Sequence, residues 1–101
     1  MSRNVFNRAE LERKLGNIGS SLKQRVKAYL LGGCAMVFRG QKSATKDVDI
    51  VLNSLQSLKH LVASLKSLGF HDVVQLPEDY QQLGASAVMR DDEGFQLDLF
   101  Y

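Results

Sequence analysis

The sequence predicts an α+β domain, and three observations lead there. Leu55, Leu58, Leu61, Val62, Leu65 and Leu68 recur at helical spacing and form an apolar stripe. Short apolar or β-branched runs at 27–31 and 47–52 are too short for buried helices and end at turn residues. Two further runs, 85–90 and 95–101, flank Asp91-Asp92-Glu93-Gly94, a hairpin pattern in which Gly94 supplies the loop's positive φ.

Taken in order, Asn7 and Glu10 form a capping-box pattern, with Phe6 and Leu11 placed as a hydrophobic staple. Leu11, Leu15, Ile18 and Leu22 then share one helical face, so a helix is expected from about 7 to 21, weakened or broken near Gly16. Residues 27–31 read as a buried strand feeding a tight turn at Gly32-Gly33. Residues 34–39 read as a short helix closed by Gly40, and 41–46 as a loop. Asp47 to Leu52 reads as a central strand. Asn53 is the expected cap of the following helix, with Gln56 at its third position and Gly69 at its end. Residues 70–76 are a further strand candidate, and 77–82, opening on Pro77, a loop or a single helical turn.

The 101 residues suit one domain with a single core, and a chain of this length buries roughly 60 to 70% of its unfolded surface. Hydrophobic residues make up 45% and charged residues 24%, a globular balance that excludes disorder along the whole chain. The single cysteine excludes an internal disulfide framework and a multi-cysteine zinc site. There is no apolar run of about 18 residues and no apolar signal region at the start, so a cytoplasmic protein without membrane partners is expected. The chain stops inside the apolar run Leu99-Phe100-Tyr101, which suits either a minimal domain or one truncated at its C-terminus, and an apolar edge there also suits a homodimer. Charge is polarised: residues 1–30 carry a net +5 and residues 71–101 a net −6, which permits a basic face for phosphates beside an acidic metal site.

The residues with chemistry in them are Asp47 and Asp49. Two residues apart on a strand, they project from the same face, while Val48 and Ile50 face the other side. At about 4 Å and an effective dielectric near 20, such a pair repels by about 4 kcal/mol before relaxation. A divalent cation removes that cost, whereas a solvated strand end would avoid it. Gly32-Gly33, between strand and helix, permits close approach of a ligand to the backbone beside free helix N–H groups, or is a plain turn. Asp98, between Leu97 and Leu99, is either a third carboxylate of the set or a surface residue on an edge strand. Arg39, Lys42 and Ser43 are most simply solvated or turn residues. Thr45 and Lys46 lie just before the first aspartate, and Lys46 points away from Asp47 if the strand has already begun, whereas a loop there aims it at phosphate. Cys34 suits a small core residue better than a nucleophile, since no histidine partners it in sequence. His60 and His71 are isolated.

In combination these residues are more specific than any one of them. The stretch Leu-Leu-Gly-Gly-Cys-Ala-Met-Val-Phe-Arg-Gly, followed by Ala-Thr-Lys-Asp-Val-Asp-Ile-Val-Leu and a later Leu-Asp-Leu, resembles the nucleotidyltransferase superfamily with the polymerase-β-like fold. It is most similar to the DUF6036 nucleotidyltransferase-like proteins and, more distantly, to the AbiEii-type toxin nucleotidyltransferases. The match covers residues 30–52, about a quarter of the chain, with weaker support at 95–100. The resemblance implies a small mixed sheet flanked by helices. It implies that Asp47, Asp49 and Asp98 bind two Mg²⁺ ions, with Mn²⁺ as a substitute, and that Gly32 and Gly33, with Thr45 and Lys46 nearby, hold the phosphates of an NTP. The implied reaction moves a nucleoside monophosphate to an acceptor, an RNA, a protein or a small molecule, and releases pyrophosphate. A catalytically silent binding module, in a toxin–antitoxin or defence setting, is the alternative. The chain departs from the family in having Gly-Gly where many members have Gly-Ser, and in offering no separate base-pocket motif or acceptor domain.

Overall fold

A computed structural model describes residues 5–73 and 87–101. Along the chain these form β1 (Phe6–Asn7), α1 (Arg8–Ser21), β2 (Ala28–Leu31), α2 (Gly32–Phe38), β3 (Ala44–Thr45), β4 (Asp47–Leu52), α3 (Leu55–Ser67), β5 (His71–Asp72), β6 (Ala87–Arg90) and β7 (Gln96–Phe100). The main sheet has the strand order β2-β4-β7-β6-β5. Only β4 and β7 run parallel in it; the other three pairings are antiparallel, so the sheet is mixed. A separate two-stranded ladder joins β1 to β3, with Phe6 opposite Thr45 and Asn7 opposite Ala44. The α+β expectation is met by this arrangement.

Asn7 caps α1 as the sequence predicts: its Oδ1 accepts from the Glu10 N–H, while the Glu10 side chain accepts from the Asn7 N–H. The helix runs unbroken through Gly16. Its buried Leu11 and Ile18 on either side of that glycine outweigh the loss of roughly 1 kcal/mol in helix propensity. The cap of α3 is Ser54, not Asn53. Ser54 Oγ accepts from the Ser57 N–H, and Asn53 instead accepts a bond from the Ser57 hydroxyl. Two short polar residues in succession offer equivalent caps, and the register of the stripe decides between them. Leu58, Leu61 and Leu65 are buried, each contributing roughly 1.5–3 kcal/mol by leaving water, whereas Leu55 and Leu68 at the ends of the stripe stay exposed.

Alternation governs the sheet. Along β4, Val48, Ile50 and Leu52 are buried and share one core with Leu97, Leu99 and Met89 of the neighbouring strands and with Leu11, Ile18, Leu58, Leu61 and Leu65 of α1 and α3. Phe95 sits at its centre, edge-on to both Phe6 and Phe70. The hairpin forms as expected, with Arg90 opposite Gln96 and the Asp91 carboxylate accepting from the Glu93 and Phe95 N–H groups. Lys14, 7% exposed, reaches from α1 to this loop and pairs with Asp91 at 2.8 Å and Glu93 at 3.2 Å.

Three expectations need correction. β2 is not a buried strand but the edge of the sheet, with Tyr29 and Leu31 about half exposed; an apolar run of this length signals a strand without fixing its place. The 41–46 segment contains β3, a rung of backbone pairing that its polar sequence hides. Finally, α2 begins at Gly32, so the glycine pair is the first turn of the helix rather than a turn before it. Of the strand expected at 70–76, the described part is β5 at His71–Asp72; residues 74–76, the segment 77–82 and the start of the run from 85 lie outside the described residues. Among the described residues no helix is long and apolar enough to cross a membrane.

Candidate active site

The carboxylates come from two adjacent parallel strands. Asp49 on β4 and Asp98 on β7 are register partners, and Asp47 lies opposite Gln96 one step away. Paired residues on neighbouring strands project from the same side, so Asp47, Asp49 and Asp98 share one face of the sheet. Asp98 is not on an edge: β7 has β4 on one side and β6 on the other, and its side chain is 5% exposed. The solvated reading of Asp98 therefore fails.

Proximity has an electrostatic consequence. The Asp49 carboxyl is pushed up to about 6, first by burial, then by the charge of Asp98 and a hydrogen bond between the two side chains, with Asp47 adding to the repulsion. Asp98 is held in turn by Gln96, whose Nε2 donates to Asp98 Oδ1 at 3.0 Å, and Gln96 Oε1 accepts from the Arg90 guanidinium. Sequence reasoning missed Gln96 and Arg90. The signal available for Gln96 was the two-residue period, which puts it on the Asp98 face of β7.

The glycines close the other side. Gly32 has φ +61°, and a Cβ there would lie 2.9 Å from Asp49 Oδ2, so both backbone and space restrict this position to glycine. At Gly33 a Cβ would meet Thr45 Oγ1 at 2.6 Å and the Lys42 ammonium at 3.5 Å. Thr45 is buried and donates its hydroxyl proton to the Asp47 carbonyl at 3.1 Å. A cleft of about 420 Å³ opens here, lined by Gly33, Lys42, Ala44, Thr45, Lys46, Asp47, Asp49 and Val5. Gly33, Thr45, Lys46 and the first two aspartates are thus brought together as the sequence suggested. Lys42, which sequence favoured as a solvated residue, has its ammonium at the mouth of the cleft above Gly33.

Cys34 is fully buried, and its thiol is pushed up to about 11 by burial and by Asp49, so it packs in the core and offers no thiolate at neutral pH. His60 and His71, on α3 and β5, contribute nothing to the cleft lining.

The chain matches no family model, and no curated protein and no solved structure proved similar to it.

The donor set consists of carboxylate oxygens, which suit a hard cation such as Mg²⁺ rather than zinc or copper. Among the described residues, however, no three His, Cys, Asp or Glu side chains converge as a ready-made metal centre. Asp49 and Asp98 are register partners on adjacent strands, and the charge of Asp98 raises the Asp49 carboxyl. What the arrangement offers is a row of carboxyl groups beside a cleft lined by small residues and by Lys42 and Lys46.

Proposed function

We propose that this chain is an Mg²⁺-dependent nucleotidyltransferase of the polymerase-β-like fold, moving a nucleoside monophosphate from an NTP to an acceptor hydroxyl. One observation carries the reading: three aspartates from two adjacent strands share a sheet face beside a glycine pair at a helix start. Asp47, Asp49 and Asp98 would hold the Mg²⁺, which when bound supplies neutralisation of the phosphate charge. Gly32 and Gly33 keep side chains out of the space the phosphates need, and Lys42 and Lys46 bring positive charge to it. The Thr45 hydroxyl bonds the Asp47 carbonyl, which fixes the loop at the first aspartate. Arg90 and Gln96 hold Asp98 in orientation, where it takes the proton of the acceptor hydroxyl. The acceptor oxygen then bonds the α-phosphorus, the bond from that phosphorus to the bridging oxygen breaks, and pyrophosphate leaves.

The test is incubation with each NTP radiolabelled at the α-phosphate, Mg²⁺ or Mn²⁺, and cellular RNA or lysate. A labelled acceptor with the wild type, lost in Asp98→Asn, supports the reading. A second reading, a catalytically silent binding module, is favoured by the absence of a ready-made metal centre among the described residues. It is the correct one if NTP binds and no label transfers with either ion.

A further inference from the structure

The two edges of the main sheet differ. At one end stands β5, two residues long, with His71 and Asp72 exposed and Asp72 paired to Lys66 at 3.4 Å, a short charged edge of the kind that resists further pairing. At the other stands β2, Ala28-Tyr29-Leu30-Leu31, with no charge, proline or bulge within it. Among the described residues its one strand neighbour is β4, so the outer row of its backbone N–H and C=O groups has no strand to pair with. Tyr29 and Leu31 are about half exposed on the aspartate face. Lys27 shares that face, two residues before Tyr29, and its ammonium lies 5.9 Å from the centre of the Tyr29 ring. Asp49 leans toward the same edge: its Oδ2 is 2.9 Å from the point a Cβ of Gly32 would occupy, at the end of β2.

A second copy of the chain fits this edge. Two β2 strands that pair antiparallel around a two-fold axis perpendicular to the sheet keep both aspartate faces on one side. Residues opposed across the seam then point to the same side, so the axis passes through a residue and not between two. With the axis at Tyr29, Tyr29 meets its own equivalent, Ala28 meets Leu30, and Lys27 meets Leu31 of the other copy. Leu31 is the register partner of Asp49, so Lys27 of one copy stands in line with Asp49 of the other, two strand spacings or roughly 9–10 Å away. An extended lysine and an aspartate leaning toward it span that distance across the exposed Leu31. The two Lys27 positions lie four residues apart along the seam, roughly 13 Å, beyond the screening length at physiological salt. With the axis at Leu30 instead, Lys27 falls level with Gly33, past the end of the strand and farther from Asp49. Charge therefore selects Tyr29. We infer that the chain forms a two-fold dimer through β2, joining two five-stranded sheets edge to edge, and that each copy contributes Lys27 to the Asp49 carboxyl of the other. None of these contacts needs a nucleotide, so the dimer stands apart from the transferase reading.

Sedimentation equilibrium on the intact chain, from low to high micromolar concentration, should show a mass rising from 11.3 kDa toward twice that value. Tyr29→Lys and Tyr29→Glu should each stay monomeric, because the axis sets two like charges directly opposite each other. An equimolar mixture of the two should restore the dimer, which also shows that both variants are folded. Lys27→Gln should weaken association roughly 2- to 30-fold, the range for two partly exposed ion pairs, and remove most of its dependence on salt. A mass of 11.3 kDa at every concentration overturns the dimer and leaves the edge to a strand of another protein. A Tyr29→Lys protein that dimerises as wild type does, or a mixture that stays monomeric, overturns the seam at Tyr29. Unchanged association and salt dependence in Lys27→Gln overturn the contact with Asp49.

Discussion

Asp49 and Asp98 stand opposite each other on parallel strands, about fifty residues apart in sequence, close enough that the charge of Asp98 helps to raise the Asp49 carboxyl. Burial and the neighbouring carboxylates disfavour the charged form of Asp49, so it holds its proton to about pH 6.

The pH dependence of stability follows from Asp49. Its carboxyl is raised from 3.8 unfolded to about 6 folded, so between these values the folded state binds more protons than the unfolded one. In the ion-free protein this group's contribution to stability is therefore lost as pH rises from about 3.8 to about 6, and the penalty is complete above that. Asp49→Asn should raise the melting temperature at pH 7 in the absence of divalent ions and lose that advantage near pH 4. A variant that melts lower than wild type at pH 7, with the same pH slope, would show that Asp49 supports the fold.

Gly33 is sterically bound to Thr45. Gly33→Ala puts a methyl group 2.6 Å from a buried hydroxyl, and either Thr45 turns away from the Asp47 carbonyl or the backbone moves. We expect a loss of about 1–3 kcal/mol in urea unfolding, as for other overpacked sites, together with weaker ATP binding. Adding Thr45→Ala should recover part of the stability, because the closest contact is removed. Full additivity of the two losses would refute the clash.

Lys42→Gln tests the charge at the mouth of the cleft. A charge-assisted bond to phosphate contributes about 1.5–3 kcal/mol, so ATP affinity should fall roughly 10- to 150-fold with little change in melting temperature, since the side chain is exposed. Calorimetry showing unchanged affinity would return Lys42 to the solvent.

Lys14→Met separates stability from function. Lys14 is buried against Phe6 and Phe95, and its ammonium meets the mostly buried Asp91. Methionine keeps the packing and leaves that carboxylate without its cation. Breaking a fully buried pair costs roughly 3–5 kcal/mol, and the partial exposure of this one reduces the expected loss to about 1–3 kcal/mol. ATP binding should be unaffected. Equal stability of Lys14→Met and wild type in denaturant would mean the ion pair contributes nothing net.

The sequence was most legible where a local pattern and a tertiary role agree. Asn7 and Glu10 specify a helix start within four residues, and the alternation from Asp47 to Leu52 separates a wet face from a dry one without reference to the rest of the chain. The glycine pair and the first two aspartates were legible for the same reason, since their spacing is itself the signal. Position within the sheet was not. Residues 27–31 are as apolar as a central strand, yet only the pairing of β4 with β7 leaves β2 at the edge with Tyr29 exposed. Lys42 also escaped. A lysine in a polar loop has no sequence mark, and what directs it to Gly33 is β3, whose pairing with β1 depends on a strand almost forty residues earlier.

That ladder has a mechanical side. Asn7 is both the cap of α1 and the rung opposite Ala44, next to Thr45, the residue pressed against Gly33. Phe6, the other rung, is anchored in the core. The start of the first helix and the Thr45 loop are thus fastened to each other by two backbone rungs, so the position of α1 helps to set where Thr45 stands against Gly33.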